Sequence, residues 1–303
     1  MSSTLILWRL MDGKPGHEKQ SLALVQGLQC HRECEVFDIA IEYSGAHYLK
    51  HVFSNQPIFD ASLPSPDYLI GAGHKTHLPM LVARRRHGGK AVVIMNPSLP
   101  ACLFDHIITP AHDNFKASSK RIICTPSLAP ALDSHPDPQR GLIVLGGVSK
   151  HYEWEDERLV QQIETLCAHY PNVHWKLSTS RRTPESALQK LLLINRENLD
   201  VFDVAALPKS WLDEEYETAG HIWITVDSVS MLAEALNTKA RVGMLNLQGG
   251  ESSTKMQRFR QTLLSSGWVG DCSGTELKEG PIRSQPVNAH LSVARSILES
   301  IQK

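Results

Sequence analysis

Short apolar runs alternate with stretches of helical periodicity along almost the whole chain. The run TLILWRL precedes HEKQSLALVQGL, whose apolar positions recur at helical spacing. CEVFDIA, PDYLIGAG, KAVVIM and DHIITP read as strands, and HLPMLVARRRH between them reads as a helix. The same alternation resumes later: GLIVLGG, NVHWKLSTS, LDVFDV, HIWITV and ARVGML as strands. EDERLVQQIETLCAHY, TPESALQKLLLI, DSVSMLAEALNT, KMQRFRQTLLSSG and NAHLSVARSILESIQ are the helices of that part. Strand and helix taking turns predicts an α/β fold with parallel sheets covered by helices.

The pattern lapses between Thr125 and Gln139, where TPSLAPALDSHPDPQ holds four prolines and little periodicity. This stretch reads as a linker. The predicted organisation is an N-terminal Rossmann-like lobe over 1–130, a C-terminal Rossmann-like lobe over 140–285, and a terminal helix over 286–303 that crosses back to the first lobe. Two lobes of this kind predict a ligand cleft between them.

In open α/β sheets ligands bind beyond the carboxyl ends of the strands, so the loops that follow the strands carry the chemistry. Five are polar and three are rich in glycine: DGKPGH with Gly13, Lys14, Gly16 and His17; GAGHKTH with Gly73, His74 and Lys75; GGVSKHY with Gly146, Gly147, Ser149 and Lys150; STSRRTP with Ser180, Arg181 and Arg182; and DSVSM. Backbone amides, hydroxyls and cations at helix starts suit phosphate oxygens, and their recurrence on one edge predicts an anionic, nucleotide-linked ligand. None has the GxGxxG or GxxxxGK[ST] spacing, and no GxSxG elbow is present.

In DSVSMLAEAL, a turn of about 100° per residue puts Val229, Leu232, Ala233 and Leu236 on one face and Asp227, Ser230, Met231 and Glu234 on the other. The first face is expected to pack on the sheet. Asp227 or Ser228 is placed to cap the helix, and Glu234 to reach sugar hydroxyls.

Charge and composition narrow this picture. The net charge of −1 over 303 residues argues against nucleic acid as partner. One basic cluster, Arg84, Arg85, Arg86, His87 and Lys90, reads as a solvated helix end, with peripheral membrane contact as the alternative. No apolar stretch is long enough to span a bilayer. The six cysteines are scattered without a CxxC pair, which fits reduced thiols and a cytoplasmic setting, peripheral at the inner membrane if the basic cluster meets lipid. His74 and His77 lack the carboxylate of a metalloprotease pattern, so no metal and no cofactor is expected.

The ordered set W-(x)3-DGKPGHEKQSLALVQGL, GAGHKTHLP, VLGGVSKHYEW, STSRRTP, TVDSVSMLAEAL and KMQRFRQTL resembles the mitochondrial-fission family named for elongated mitochondria in plants, together with its bacterial relatives. The resemblance covers most of the chain. It implies a GT-B glycosyltransferase-like architecture of two facing Rossmann-like lobes, and a nucleoside-diphosphate sugar as substrate with a lipid-linked or saccharide acceptor. By that resemblance His17 is the general base on the acceptor side. Lys14, Lys150, Arg181 and Arg182 offset charge on the leaving diphosphate, Ser228 and Ser230 meet phosphate, and Glu234 meets the ribose. A nucleotide-sugar 2-epimerase and a non-catalytic adaptor that keeps the fold are the alternatives. The plant relatives suggest the adaptor role, recruitment of a dynamin-type GTPase to a membrane.

Overall fold

The computed structural model describes residues 4–43, 45–51, 58–249 and 254–300. The chain divides into two compact units, Met1–Pro130 with Asn288–Lys303, and Ala131–Val287.

The first unit carries β1 (Leu5–Met11), β2 (Cys34–Ala40), β3 (Tyr68–Ala72), β4 (Lys90–Ile94), β5 (His106–Pro110) and β6 (Arg121–Cys124) in one sheet of order β2-β1-β3-β4-β5-β6. Every pairing is parallel. Its helices are α1 (Pro15–Gln29), α2 (Gly45–His51) and α3 (His77–His87). Strands β3 and β5 are buried along their whole length, which is why they read as unbroken apolar runs. Gly13, at φ +79°, turns the chain out of β1, and Pro15 opens α1 where its missing N–H costs nothing. Two carboxylates satisfy the exposed amides of this start: Lys14 N donates to Asp12 Oδ1 at 3.1 Å and Gly13 N to Glu18 Oε1 at 3.0 Å.

The second unit carries β7 (Asp137–Val144), β8 (Tyr152–Glu153), β9 (His174–Ser178), β10 (Leu199–Phe202), β11 (Ala219–Thr225), β12 (Arg241–Leu245), β13 (Gln248–Gly249), β14 (Gly270–Ser273) and β15 (Glu276–Lys278). The main sheet runs β10-β9-β7-β11-β12-β14-β15, parallel except for the last pair, and β8 pairs with β13 apart from it. The helices are α4 (Asp156–His169), α5 (Glu185–Leu192), α6 (Trp211–Thr218), α7 (Val229–Leu236) and α8 (Thr254–Ser265). One core packs Leu142, Ile222 and Ile224 against Tyr216, Leu232, Leu236 and Phe259; the other packs Ile143, Trp175 and Trp223 against Leu159, Ile163 and Leu191. Apolar layers on both faces make this a doubly wound, Rossmann-like sheet.

One expectation changes. Strand β7 begins at Asp137, inside the proline-rich stretch read as linker, and the second unit begins at Ala131. The first residues of β7, Asp137 to Gln139, are exposed and polar, so they carry no apolar signature. The last helix, α9 (Ala289–Glu299), belongs to the first unit: Val293, Ala294 and Ile297 are buried in one core with Leu24, Val25 and Leu28 of α1. Gly27 permits that approach, since a methyl there would overlap the carbonyl of His290.

The basic cluster is not a solvated helix end. Arg84 donates to Leu103 O at 2.8 Å and pairs with Asp105, Arg86 donates to His51 O at 2.7 Å, and His87 packs on Trp8. These residues tie the C-terminal turn of α3 to its surroundings, and Arg85 remains exposed. Among the described residues no helix is long and apolar enough to cross a membrane.

Candidate active site

In the first sheet the direction of winding reverses between β1 and β3, which are neighbours. The loops leaving these two strands meet at that point. From the β1 loop come Asp12 and His17. Asp12 Oδ2 lies 2.8 Å from His17 Nδ1; the aspartate side chain is fully buried and the imidazole is 22% exposed. From the β3 loop comes Gly73, at φ +85°, and a methyl there would overlap the His17 ring and crowd Asp12. Thr76 Oγ1 holds this turn by donating to Gly73 O at 2.8 Å. With Nδ1 engaged by a buried carboxylate, Nε2 is the nitrogen left to accept a proton. A histidine held in this way has the geometry that general-base chemistry requires.

Gly13, Lys14 and Gly16 line the exposed rim of the same loop, and His74 and Lys75 are exposed on the turn after β3. His77 does not join His74. It is buried edge-on to Phe104 with Nδ1 3.2 Å from Ser98 Oγ, and burial pushes its pKa down to about 4.

The second sheet reverses between β7 and β11. Here the buried aspartate is Asp227, and it is used differently. Its Oδ2 accepts from Gly147 N at 3.1 Å and from Arg182 Nη2 at 2.9 Å. Gly146 N donates to Thr225 Oγ1 at 2.6 Å, and Val148 N to Arg182 O at 3.1 Å. Ser180 Oγ and Thr183 Oγ1 both donate to Gly146 O. A side chain at Gly146 would overlap Asp227, and one at Gly147 would overlap the Arg182 backbone. Three loops predicted separately are thus locked together. The two glycine amides, expected to face phosphate, are occupied within the protein. What this junction offers outward is the side chains of Lys150, Arg181 and Arg182, all exposed, and the half-buried Ser149.

The family model for mitochondrial fission ELM1 proteins matches residues 15–301. The chain belongs to the mitochondrial fission ELM1 family. Curated proteins give no match by sequence. Solved structures share the fold at low identity. A protein of Listeria monocytogenes described as a candidate UDP-N-acetylglucosamine 2-epimerase superposes with a TM-score of 0.58 at 12% identity, covering 98% of this chain and 88% of that one. The UDP-GlcNAc 2-epimerase of Neisseria meningitidis, bound to UDP-GlcNAc, gives 0.57 at 11% identity, covering 98% and 100%. S. aureus MnaA, solved with UDP, gives 0.51 at 13% identity, covering 99% and 89%. The ELM1-family chain therefore has a GT-B-like α/β fold of two Rossmann-like units.

In this ELM1-family chain α7 departs from the two-faced helix expected of it. Leu232 through Leu236 are all buried, Glu234 included, and Met231 packs partly on the core. Glu234 acts on the fully buried Tyr216: burial, then the glutamate charge, push that phenol well up. Tyr216 donates to Met231 O at 3.3 Å. Ser228 stands at the N-cap without a side-chain cap bond and is buried, Asp227 turns to Gly147 and Arg182 instead, and Ser230 is exposed. Sequence reasoning passed over Asp12, Thr225 and Thr183. For Asp12 the signal was an aspartate directly after a buried strand and five residues before a histidine at a helix start; Thr225 and Thr183 carried none.

Proposed function

We propose that the chain moves a sugar from a nucleoside-diphosphate donor to an acceptor hydroxyl, with His17 as general base. The observation that carries this reading is the buried Asp12 holding His17 Nδ1 at 2.8 Å. In the step, Nε2 takes the acceptor's hydroxyl proton while that oxygen bonds to the anomeric carbon. The bond from this carbon to the diphosphate oxygen breaks, and the nucleoside diphosphate leaves with the electron pair. Lys150, Arg181 and Arg182 offset the charge on the diphosphate, a role that fixed cations fill well. Ser228, Ser230 and Glu234 are proposed as donor contacts in the second unit, and Lys14 as a further cation in the first.

The 2-epimerase reading has its own support: the solved structures named above include UDP-GlcNAc 2-epimerases, one with UDP-GlcNAc bound. Such an enzyme inverts a sugar carbon and needs no acceptor. Incubation with UDP-GlcNAc and other nucleotide sugars separates the readings. Acceptor-dependent release of nucleoside diphosphate marks a transferase, and an epimer seen by NMR without acceptor marks an epimerase. His17→Ala should lower the transfer rate by about 10²–10⁴-fold and leave donor affinity unchanged. A protein that binds donors yet turns over none of them would show that the fold serves binding alone.

A further inference from the structure

In the first unit, the loop between β4 and β5 joins an apolar outer surface to a closed backbone. Its turn at 100–103 exposes four side chains in a row, those of proline, alanine, cysteine and leucine, with Leu103 41% exposed. On either side Leu99 and Phe104 anchor the turn in the core formed by Trp8, Met80 and Ala83. The turn precedes β5, so it stands at the amino ends of the strands, the edge opposite to the loops that carry Asp12, His17 and Gly73.

Every carbonyl from Pro100 to Phe104 has a donor within the protein. Leu103 N donates to Pro100 O at 3.0 Å and Phe104 N to Ala101 O at 3.2 Å. Lys120 Nζ donates to Cys102 O at 3.4 Å and to Phe104 O at 3.3 Å, and Arg84 Nη1 donates to Leu103 O at 2.8 Å. Two long cationic side chains, from α3 and from the residue before β6, are thus turned onto the backbone of an exposed turn. In water such a turn needs no provision of this kind, because water satisfies its carbonyls. In an apolar medium an unmet carbonyl is costly, and backbone is tolerated where the protein satisfies it. The acceptors of this turn meet that condition while its side chains face outward.

The charge beside the turn is positive. Asp105 pairs with Arg84 at 3.4 Å and accepts from the Ala91 amide at 2.8 Å. Lys120 is held by carbonyls, which leave its charge uncompensated, and Arg85, next to Arg84, is exposed. Helix α9, with Glu299, covers the other face of the sheet, and the residues of this unit outside the described set carry no acidic side chain.

We propose that the turn at 100–103 enters the surface of an anionic lipid bilayer, with Arg84, Arg85 and Lys120 set against the lipid phosphates. An apolar tip or a few cations alone bind a membrane weakly, and the two together hold a protein there. Four exposed side chains on one turn form no groove for a protein segment to fill, whereas fluid lipid closes around them. The proposal concerns the first unit and binding alone, so it holds whatever the chain catalyses.

The test uses the full chain and two sets of vesicles, one of phosphatidylcholine and one of phosphatidylcholine mixed with phosphatidylglycerol. Binding is read by co-sedimentation. The protein should sediment with the mixed vesicles, not with the neutral ones, and added salt should release it. Leu103→Asp places a charge on the tip at an exposed position; it should melt like the parent and lose the vesicles. Arg85→Gln removes one exposed cation and should weaken binding about fivefold, the equivalent of ~1 kcal/mol for a cation near an anionic surface. A third measurement reads insertion itself. Cys30 and Cys102 are the exposed thiols, so an environment-sensitive dye on a Cys30→Ser protein reports from Cys102. Its emission should shift to the blue when the mixed vesicles are added. Several results would overturn the proposal. Equal binding to both vesicle types removes the role of charge. A folded Leu103→Asp protein that binds like the parent, or a dye that stays in water while the protein sediments, puts the contact elsewhere. Binding to neither vesicle leaves another protein as the partner of this turn.

Discussion

The two switch points of this molecule are built on one plan and put to different uses. Each joins the loops of two adjacent parallel strands, and each buries one aspartate beneath a glycine-rich turn. In the first unit Asp12 supports a side chain that still reaches water, so the carboxylate orients a solvent-open imidazole. In the second unit Asp227 is bonded to a backbone amide and an arginine, so the carboxylate fixes the loop itself. Topology thus brings the loops together, and the partner of the buried charge decides whether it orients a side chain or frames a loop.

Replacing each aspartate breaks the comparison in the sharpest way. Asp12→Asn should leave melting and donor affinity near the parent's and lower turnover by up to about 10⁴-fold, the scale seen when an orienting carboxylate is lost from a catalytic histidine. Unchanged turnover would remove Asp12 and His17 from the chemistry.

Acid should separate the units by stability. In the first unit His77 is held at about 4 by burial, and burial also lowers His87, His106 and His290; in the second unit His221 is lowered by burial and by Arg241. A histidine whose folded pKa lies below its unfolded value contributes its full stability above pH 6.5 and loses it as pH falls towards the folded pKa. For His77, lowered from 6.5 to about 4, the loss by pH 5 is about 2 kcal/mol. Hydrogen exchange at pH 7 and pH 5 should show the first unit opening first. An earlier opening of the second unit would contradict this, and His77→Gln should flatten the acid slope.

Asp227→Ala should act on stability before anything else. It strips partners from the Gly147 amide and from Arg182, at a cost of about 1–3 kcal/mol. A lower melting temperature in the second unit with the first unit unmoved is the expected result; an unaltered melt would mean the junction is not held by this carboxylate. The smallest effect lies in the loop before α1. Gly13→Ala meets no neighbouring atom but forces φ +79° on a residue with a side chain, which costs about 1–2 kcal/mol. Gly16→Ala, with open space and no such φ, should be neutral or slightly stabilising, and equal effects at both positions would rule out backbone conformation as the cause.

The alternation of apolar runs and helical periodicity made the fold legible, because buried parallel strands carry their signal in consecutive residues, as in HIITP and HIWIT. Stretches without that signal were missed, among them the opening residues of β7 before GLIV. Strand β7 starts with exposed polar residues, and α6, in WLDEEYET, buries only Glu215 and Tyr216. In the candidate site the loops were legible and their internal bonding was not. Gly146, the Ser180–Arg182 stretch and Asp227 are far apart in sequence, and no local pattern shows that they satisfy one another. The second face of α7 is more enclosed than its periodicity suggests, with Met231 packed partly on the core and Glu234 buried, because a helix enclosed on several sides buries polar positions too.

The return of α9 to the first unit has a consequence for how this chain is made. Leu24, Val25 and Leu28 await Val293, Ala294 and Ile297, which leave the ribosome after the entire second unit. The domain begun earliest is therefore closed latest. Its α1 surface stays apolar and uncovered through most of translation, a window in which a chaperone has something to hold. A stop codon just before Asn288 would release a second unit with its own core filled and a first unit with a bare hydrophobic seam.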